Sequence, residues 1–195
     1  GKSAMLDAVK YAAYGDTVFN KSSEGKGSRT VSSYTRGLLD ATAGTYMRPP
    51  EKVPNVYSHI VLEFFDQAEE KNFLLGVVIE TNASNNYQTY RYVIDRKSME
   101  EINHTYDKEG ILMPYSATEL QKQYKLTMLN REQGLPKFMQ MTGLKLSINQ
   151  MPVYLRKLRG IMSYDPEAKI DRFIRESVLE EKNVDFSKLI EAKNN

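Results

Sequence analysis

The chain has 195 residues, 41% hydrophobic and 27% charged, which suits a folded domain with a buried core and argues against a disordered or fibrous chain. Its formal net charge of +2 selects neither nucleic acid nor a membrane surface, and the lack of cysteine excludes disulfides, thiolate metal sites and cysteine nucleophiles. No apolar run reaches the roughly 20 residues that span a bilayer, and no secretory leader is visible, so a reducing cytoplasm is the expected compartment.

In chain order, residues 3–14 read as a helix. Ala4, Ala8, Ala12 and Ala13 favour it, Met5, Val9 and Ala12 recur at helical spacing, and Gly15 supplies a C-terminal stop. Residues 20–33 (NKSSEGKGSRTVSS) are polar and rich in Gly and Ser, which predicts a loop; 31–39 predict a short helix and 42–54 a connection. The pattern changes at Asn55. Three runs, 57–67 (YSHIVLEFFDQ), 71–81 (KNFLLGVVIET) and 87–96 (YQTYRYVIDR), are rich in Val, Ile, Phe and Tyr and are joined by turn-like segments. They predict a three-stranded antiparallel meander with one buried face. Helices return after Pro114: Ser116 and Glu119 form a capping box, 135–142 predict a short helix stopped by Gly143, and 153–162 a further helical segment. The clearest helical pattern is 165–182, where Asp165 caps, Pro166 takes the first turn, and Ile170, Phe173, Ile174 and Val178 make an apolar stripe. A last polar helix is expected from Asp185.

The chemistry is concentrated at the front. Gly1-Lys2-Ser3 matches the end of a phosphate-binding loop, G-x-x-x-x-G-K-[ST], directly followed by a helix. A helix start offers unpaired amides and partial positive charge to an anion. In that motif Gly1 admits the phosphates, the Lys2 ammonium meets their oxygens, and the Ser3 hydroxyl ligates Mg²⁺. The tripeptide alone also reads as an ordinary helix start with serine as its cap. His59 and His104 lie far apart in sequence with no ligand spacing, which argues against zinc. Between 121 and 160, Lys122, Lys125, Arg131, Lys137, Lys145, Arg156, Lys157 and Arg159 face a single acid, Glu132, a bias that suits either a solvated face or contact with phosphate backbones. Tyr124 and Tyr154 within that stretch are poor candidates for base stacking.

The opening 22 residues resemble the segment that follows the phosphate loop in the large coiled-coil ATPases of the SMC-like group. Leu6-Asp7-Ala8 matches the Leu-Asp-Ala element of that helix, and Tyr14-Gly15-Asp16 matches its stop. Within the group the chain is similar to the MukB-like ATPase subunits of bacterial Wadjet plasmid-defence systems, through 15–22 (GDTVFNKS), 33–37 (SYTRG), 58–66 (SHIVLEFFD) with 73–80 (FLLGVVIE), and 173–185 (FIRESVLEEKNVD). The resemblance runs over nearly the whole chain. It implies an α+β fold, part of a P-loop ATPase head: phosphate-loop end, first helix and polar loop (1–54), antiparallel β-subdomain (55–113), and helices leading to a coiled-coil arm (114–195). It implies ATP and Mg²⁺ as cofactors, duplex DNA bound without sequence preference, a second head of the same kind, and kleisin-like and nuclease subunits as partners. Arg36, or Arg29 before it, is the arginine expected to reach nucleotide or DNA, and Gln150 the glutamine expected near Mg²⁺.

On this reading the strand ahead of the loop, the signature motif and the Walker B carboxylates lie outside these residues, so the chain is expected to carry no catalytic residue of its own. The one strand that ends in an acid, 77–80 (VVIE), lacks the Asp and reads as a plain strand end. Three alternatives stay open: another P-loop ATPase of DNA repair, a P-loop small-molecule kinase, and a non-enzymatic α+β interaction module with an accidental Gly-Lys-Ser. The kinase predicts a parallel sheet with helical crossovers, against which three consecutive short-linked strands argue.

Overall fold

The computed structural model describes residues 2–19, 29–143 and 150–162. Two compact units divide the chain, residues 1–145 and 146–195. The first is α+β, and its described sheets are antiparallel. In the second, the helix Gln150–Met162 is described; the patterns at 165–182 and beyond Asp185 lie outside the described residues.

In the first unit the elements run α1 (Lys2–Tyr14), α2 (Val31–Arg36), β1 (Leu38–Asp40), β2 (Thr45–Tyr46), β3 (Val56–Asp66), β4 (Lys71–Thr81), β5 (Tyr87–Asp95), a 3₁₀ turn (Met99–Glu101), β6 (Thr105–Lys108), β7 (Ile111–Pro114), α3 (Ala117–Tyr124) and α4 (Arg131–Met141). The expected meander is present: β3, β4 and β5 pair antiparallel in that order, with β3 and β4 in unbroken register from Val56↔Thr81 to Asp66↔Lys71. The expectation of one buried face is corrected. Both faces of β4 are covered, which its nearly continuous apolar run allows, while the alternation seen in the sequence belongs to the edge strands.

On one face Phe73, Leu75, Val77 and Ile79 pack with Tyr11 and Ala12 of α1, Val31 of α2 and Phe138 of α4. On the other, Leu74 and Val78 pack with Tyr92, Ile94, Ile102, and Ala117 and Leu120 of α3. Each such aliphatic side chain contributes about 1.5–3 kcal/mol by leaving water. Gly76 sits on this second face because the Tyr92 ring occupies the space that a side chain there would need.

α1 begins and ends as expected, with Gly15 left-handed at φ 68° and its amide donating to Tyr11 O at 2.9 Å. Its buried face differs from the apolar spacing of the sequence. Met5 is 72% exposed and Val9 38%, whereas Asp7 and Lys10 are buried with Tyr11 and Ala12. The helix expected over 31–39 stops at Arg36, where Gly37 at φ 68° turns the chain into β1. The connection at 42–54 contains β2, which closes a small hairpin on β1. The Ser116–Glu119 capping box opens α3: Ser116 Oγ accepts from Glu119 N at 3.2 Å, and Glu119 Oε2 accepts from Ser116 N at 2.8 Å. α4 starts earlier than expected, because Asn130 and Gln133 form a second capping box. The β6–β7 hairpin was not apparent from the sequence.

Arg91 on β5 secures α1 to the sheet. Its guanidinium donates to Tyr11 O at 2.9 Å and Ala12 O at 3.2 Å, carbonyls at the end of the helix where cations are favoured. Gly134 of α4 lies against the same side chain; a Cβ there would sit 2.6 Å from Arg91 Cβ.

Candidate functional site

Lys2 and Ser3 occupy the first two positions of α1, a 13-residue helix with no acidic residue in its first turn. Gly1, and the side chains of Lys2 and Ser3, lie outside the described residues. The leading amides of such a helix lack intrahelical acceptors, so this end suits an anion.

Behind it lies a charged network that the sequence did not single out. Lys10, 2% exposed, has its Nζ 3.3 Å from Asp7 Oδ1 and 3.7 Å from Asp16 Oδ2, and donates to Val18 O at 2.8 Å. The Tyr34 hydroxyl donates to Asp7 Oδ2 at 2.7 Å, and Arg29 Nη1 donates to the Tyr34 oxygen at 3.1 Å. Burial, then the bond to Asp7, push the Tyr34 hydroxyl's pKa upward, which keeps it a donor. Through Asp7, Lys10 and Tyr34 the network fixes α1 against α2, and through Asp16 and Val18 it holds the segment that follows α1. The signal available in the sequence was the Asp7/Lys10 spacing of three on one helix face.

A cavity of about 170 Å³ lies between α1, α2 and the sheet, lined by Ala4, Asp7, Tyr11, Phe19, Tyr34 and Ser58 among others. Among the described residues its lining is mostly apolar, its polar groups including the Asp7 carboxylate and the Tyr11, Tyr34 and Ser58 hydroxyl-bearing side chains.

Arg36 is placed differently from expectation. It is 0% exposed, and its guanidinium donates to four carbonyls: Arg48 O and Val53 O at 2.9 Å, Pro54 O at 3.0 Å and Asn82 O at 2.6 Å. These bonds tie α2, the segment after β2 and the β4–β5 turn together, and they leave Arg36 no route to a ligand. Arg29 is partly exposed, and its guanidinium rests on the Tyr34 ring. Gln150 is the first residue of the helix in the second unit and is exposed.

Glu80 is a structural acceptor: its Oε1 takes the Ala117 amide at 2.8 Å and so receives the start of α3. Lys122, Lys125, Arg131 and Lys137 are exposed on α3 and α4 or at their ends. The Tyr124 hydroxyl accepts from Asn103 N at 2.7 Å, a packing role. The fold brings together the two histidines that the sequence separates. Their rings lie 5.5 Å apart, with His59 Nε2 donating to Tyr115 O at 2.7 Å and His104 Nε2 3.0 Å from the Tyr92 hydroxyl. Among the described residues no group of three or more His, Asp or Glu side chains could hold a metal ion, and no helix is long and apolar enough to cross a membrane.

No protein-family model, curated protein or solved structure matches the chain.

Proposed function

We propose that this chain is part of the nucleotide-binding head of an SMC-like, MukB-like ATPase of the Wadjet type, acting on duplex DNA with a second head and with kleisin-like and nuclease subunits. The observation that carries the reading is the coincidence of Gly-Lys-Ser with the start of α1. The order helix, antiparallel three-stranded sheet, helices supports it. In this reading the α1 amides and Lys2 hold the ATP phosphates and Ser3 ligates Mg²⁺, which neutralises charge on the phosphates. Arg91 and the Asp7–Lys10–Tyr34 network hold α1 in place from its far end and its inner face. Arg29 takes the role that Arg36 is too enclosed to fill. The exposed lysines and Arg131 of α3 and α4 supply phosphate contacts to DNA, a salt-sensitive interaction.

The test is binding of a fluorescent MgATP analogue to the native protein that carries this segment, alongside its Lys2→Ala and Ser3→Ala variants. Each variant is expected to weaken binding at least about tenfold, the loss of roughly 1.4 kcal/mol of contact. Arg29→Ala should weaken it too. Equal binding by all three variants refutes the proposal.

A further inference from the structure

One end of the central sheet carries an open hollow of about 480 Å³, formed by the ends of β3, β4 and β5 and the turn that joins the last two. Asn55, Tyr57, Glu80, Asn86, Tyr87 and Gln88 line it, and among the described residues no lysine, arginine or histidine does. The turn is pre-formed. Asn82 Oδ1 accepts from the amides of Ser84 at 3.0 Å and Asn86 at 3.1 Å, Ser32 Oγ donates to Asn85 O at 2.6 Å, and Arg36 grips Asn82 O from behind.

Glu80 is half used. Oε1 takes the Ala117 amide, while among the described residues nothing pairs with Oε2. The Tyr57 hydroxyl's pKa is raised by burial first and then by the nearby carboxylates of Glu80 and Glu119. On the sheet face of Glu80 the lining therefore offers a carboxylate oxygen, amide oxygens and the Tyr57 ring, since Tyr57 and Gln88 are the register partners of Glu80. Each candidate ligand class meets that lining differently. An anion is repelled. A neutral polyol finds hydrogen bonds but leaves the carboxylate's charge unused. An organic cation uses the carboxylate and the amide oxygens together, with its alkyl or planar part against Tyr57.

We propose that this hollow binds an organic cation, an alkylammonium or guanidinium group, supplied either by a free polyamine or by a Lys or Arg side chain of a partner polypeptide. The site is separate from the start of α1 and does not depend on the nucleotide reading.

The test is a titration of the isotope-labelled 195-residue chain with spermidine, with end-blocked arginine and lysine amides, and with glucose and inorganic phosphate as controls. The amides of residues 80–88 should shift saturably with a cation, with Kd on the order of 1 mM, as suits one charged contact in a half-open site. Tighter binding of spermidine assigns the site to free amines, and tighter binding of a blocked amino acid to a partner chain. Glu80→Gln keeps an oxygen for Ala117 and should weaken binding at least tenfold. Tyr57→Ala, beside Glu80 on the edge strand, should weaken it several-fold and decides the matter should Glu80→Gln lose its fold. The proposal is overturned if no cation shifts these amides at up to about 50 mM, if glucose or phosphate binds as well as the cations, or if the variants bind like the parent.

Discussion

Replacing Arg36 with methionine separates a ligand-binding arginine from one that holds the fold. The substitution keeps most of the aliphatic length and removes the guanidinium. Four carbonyls, on Arg48, Val53, Pro54 and Asn82, then lose their donor at once. A hydrogen bond to a charged group is worth about 1.5–3 kcal/mol, but carbonyls in the 48–54 segment recover water once the chain loosens, so the sum is an upper bound. Breaking a comparably buried ionic contact costs about 3–5 kcal/mol, and that range is the expected loss. Against a total stability of about 5–15 kcal/mol it is a large fraction. With a urea m-value of about 2 kcal/mol/M, the midpoint should fall by roughly 2 M. Hydrogen exchange should speed up first at 48–54 and 82–86, the segments that Arg36 joins. Arg36→Lys should recover only part of the loss, since an ammonium has three donors and no fork. A midpoint within about 0.3 M of the parent, with unchanged exchange at those segments, refutes the structural role.

Three further outcomes are expected. Gly76→Ala forces the Tyr92 ring out of its place and should cost about 3 kcal/mol, read as a lowered urea midpoint, with Tyr92→Ala in the same chain returning part of it. Asp7→Ala leaves Lys10 buried with Asp16 alone at 3.7 Å and should lower Tm by roughly 6–12 °C; adding Lys10→Met should restore most of that in a calorimetric scan. Burial lowers the pKa of both His59 and His104 from 6.5, and His59 adds to the push on His104, so the folded state resists protons that the unfolded chain accepts. Stability is therefore fully present above about pH 6.5 and should fall as pH drops below it, through the lowered folded values; His59→Gln with His104→Gln should flatten that slope between pH 7 and 5, and an unchanged slope contradicts the assignment.

Local signals in the sequence determined the elements themselves. The alanine-rich opening helix, its stop at Gly15, the three strands of the meander and the Ser116–Glu119 cap follow from propensity, alternation and short-range hydrogen bonding, and all are present. Tertiary structure decided which surfaces of those elements are inside. The Met5–Val9 spacing pointed one way, yet α1 buries Asp7 and Lys10, because a carboxylate and an ammonium that neutralise each other, with Tyr34 and Val18 O completing their bonds, can enter a core that neither could enter alone. The role of Arg36 was likewise undecidable from 33–37. An arginine in a polar stretch reads as surface until the carbonyls of Arg48, Val53, Pro54 and Asn82, up to 46 residues away, close around it. His59 and His104 show the same limit, since pairing across the sheet face depends on the register of β3 and the path of the chain after β5, and hydrophobic periodicity encodes neither.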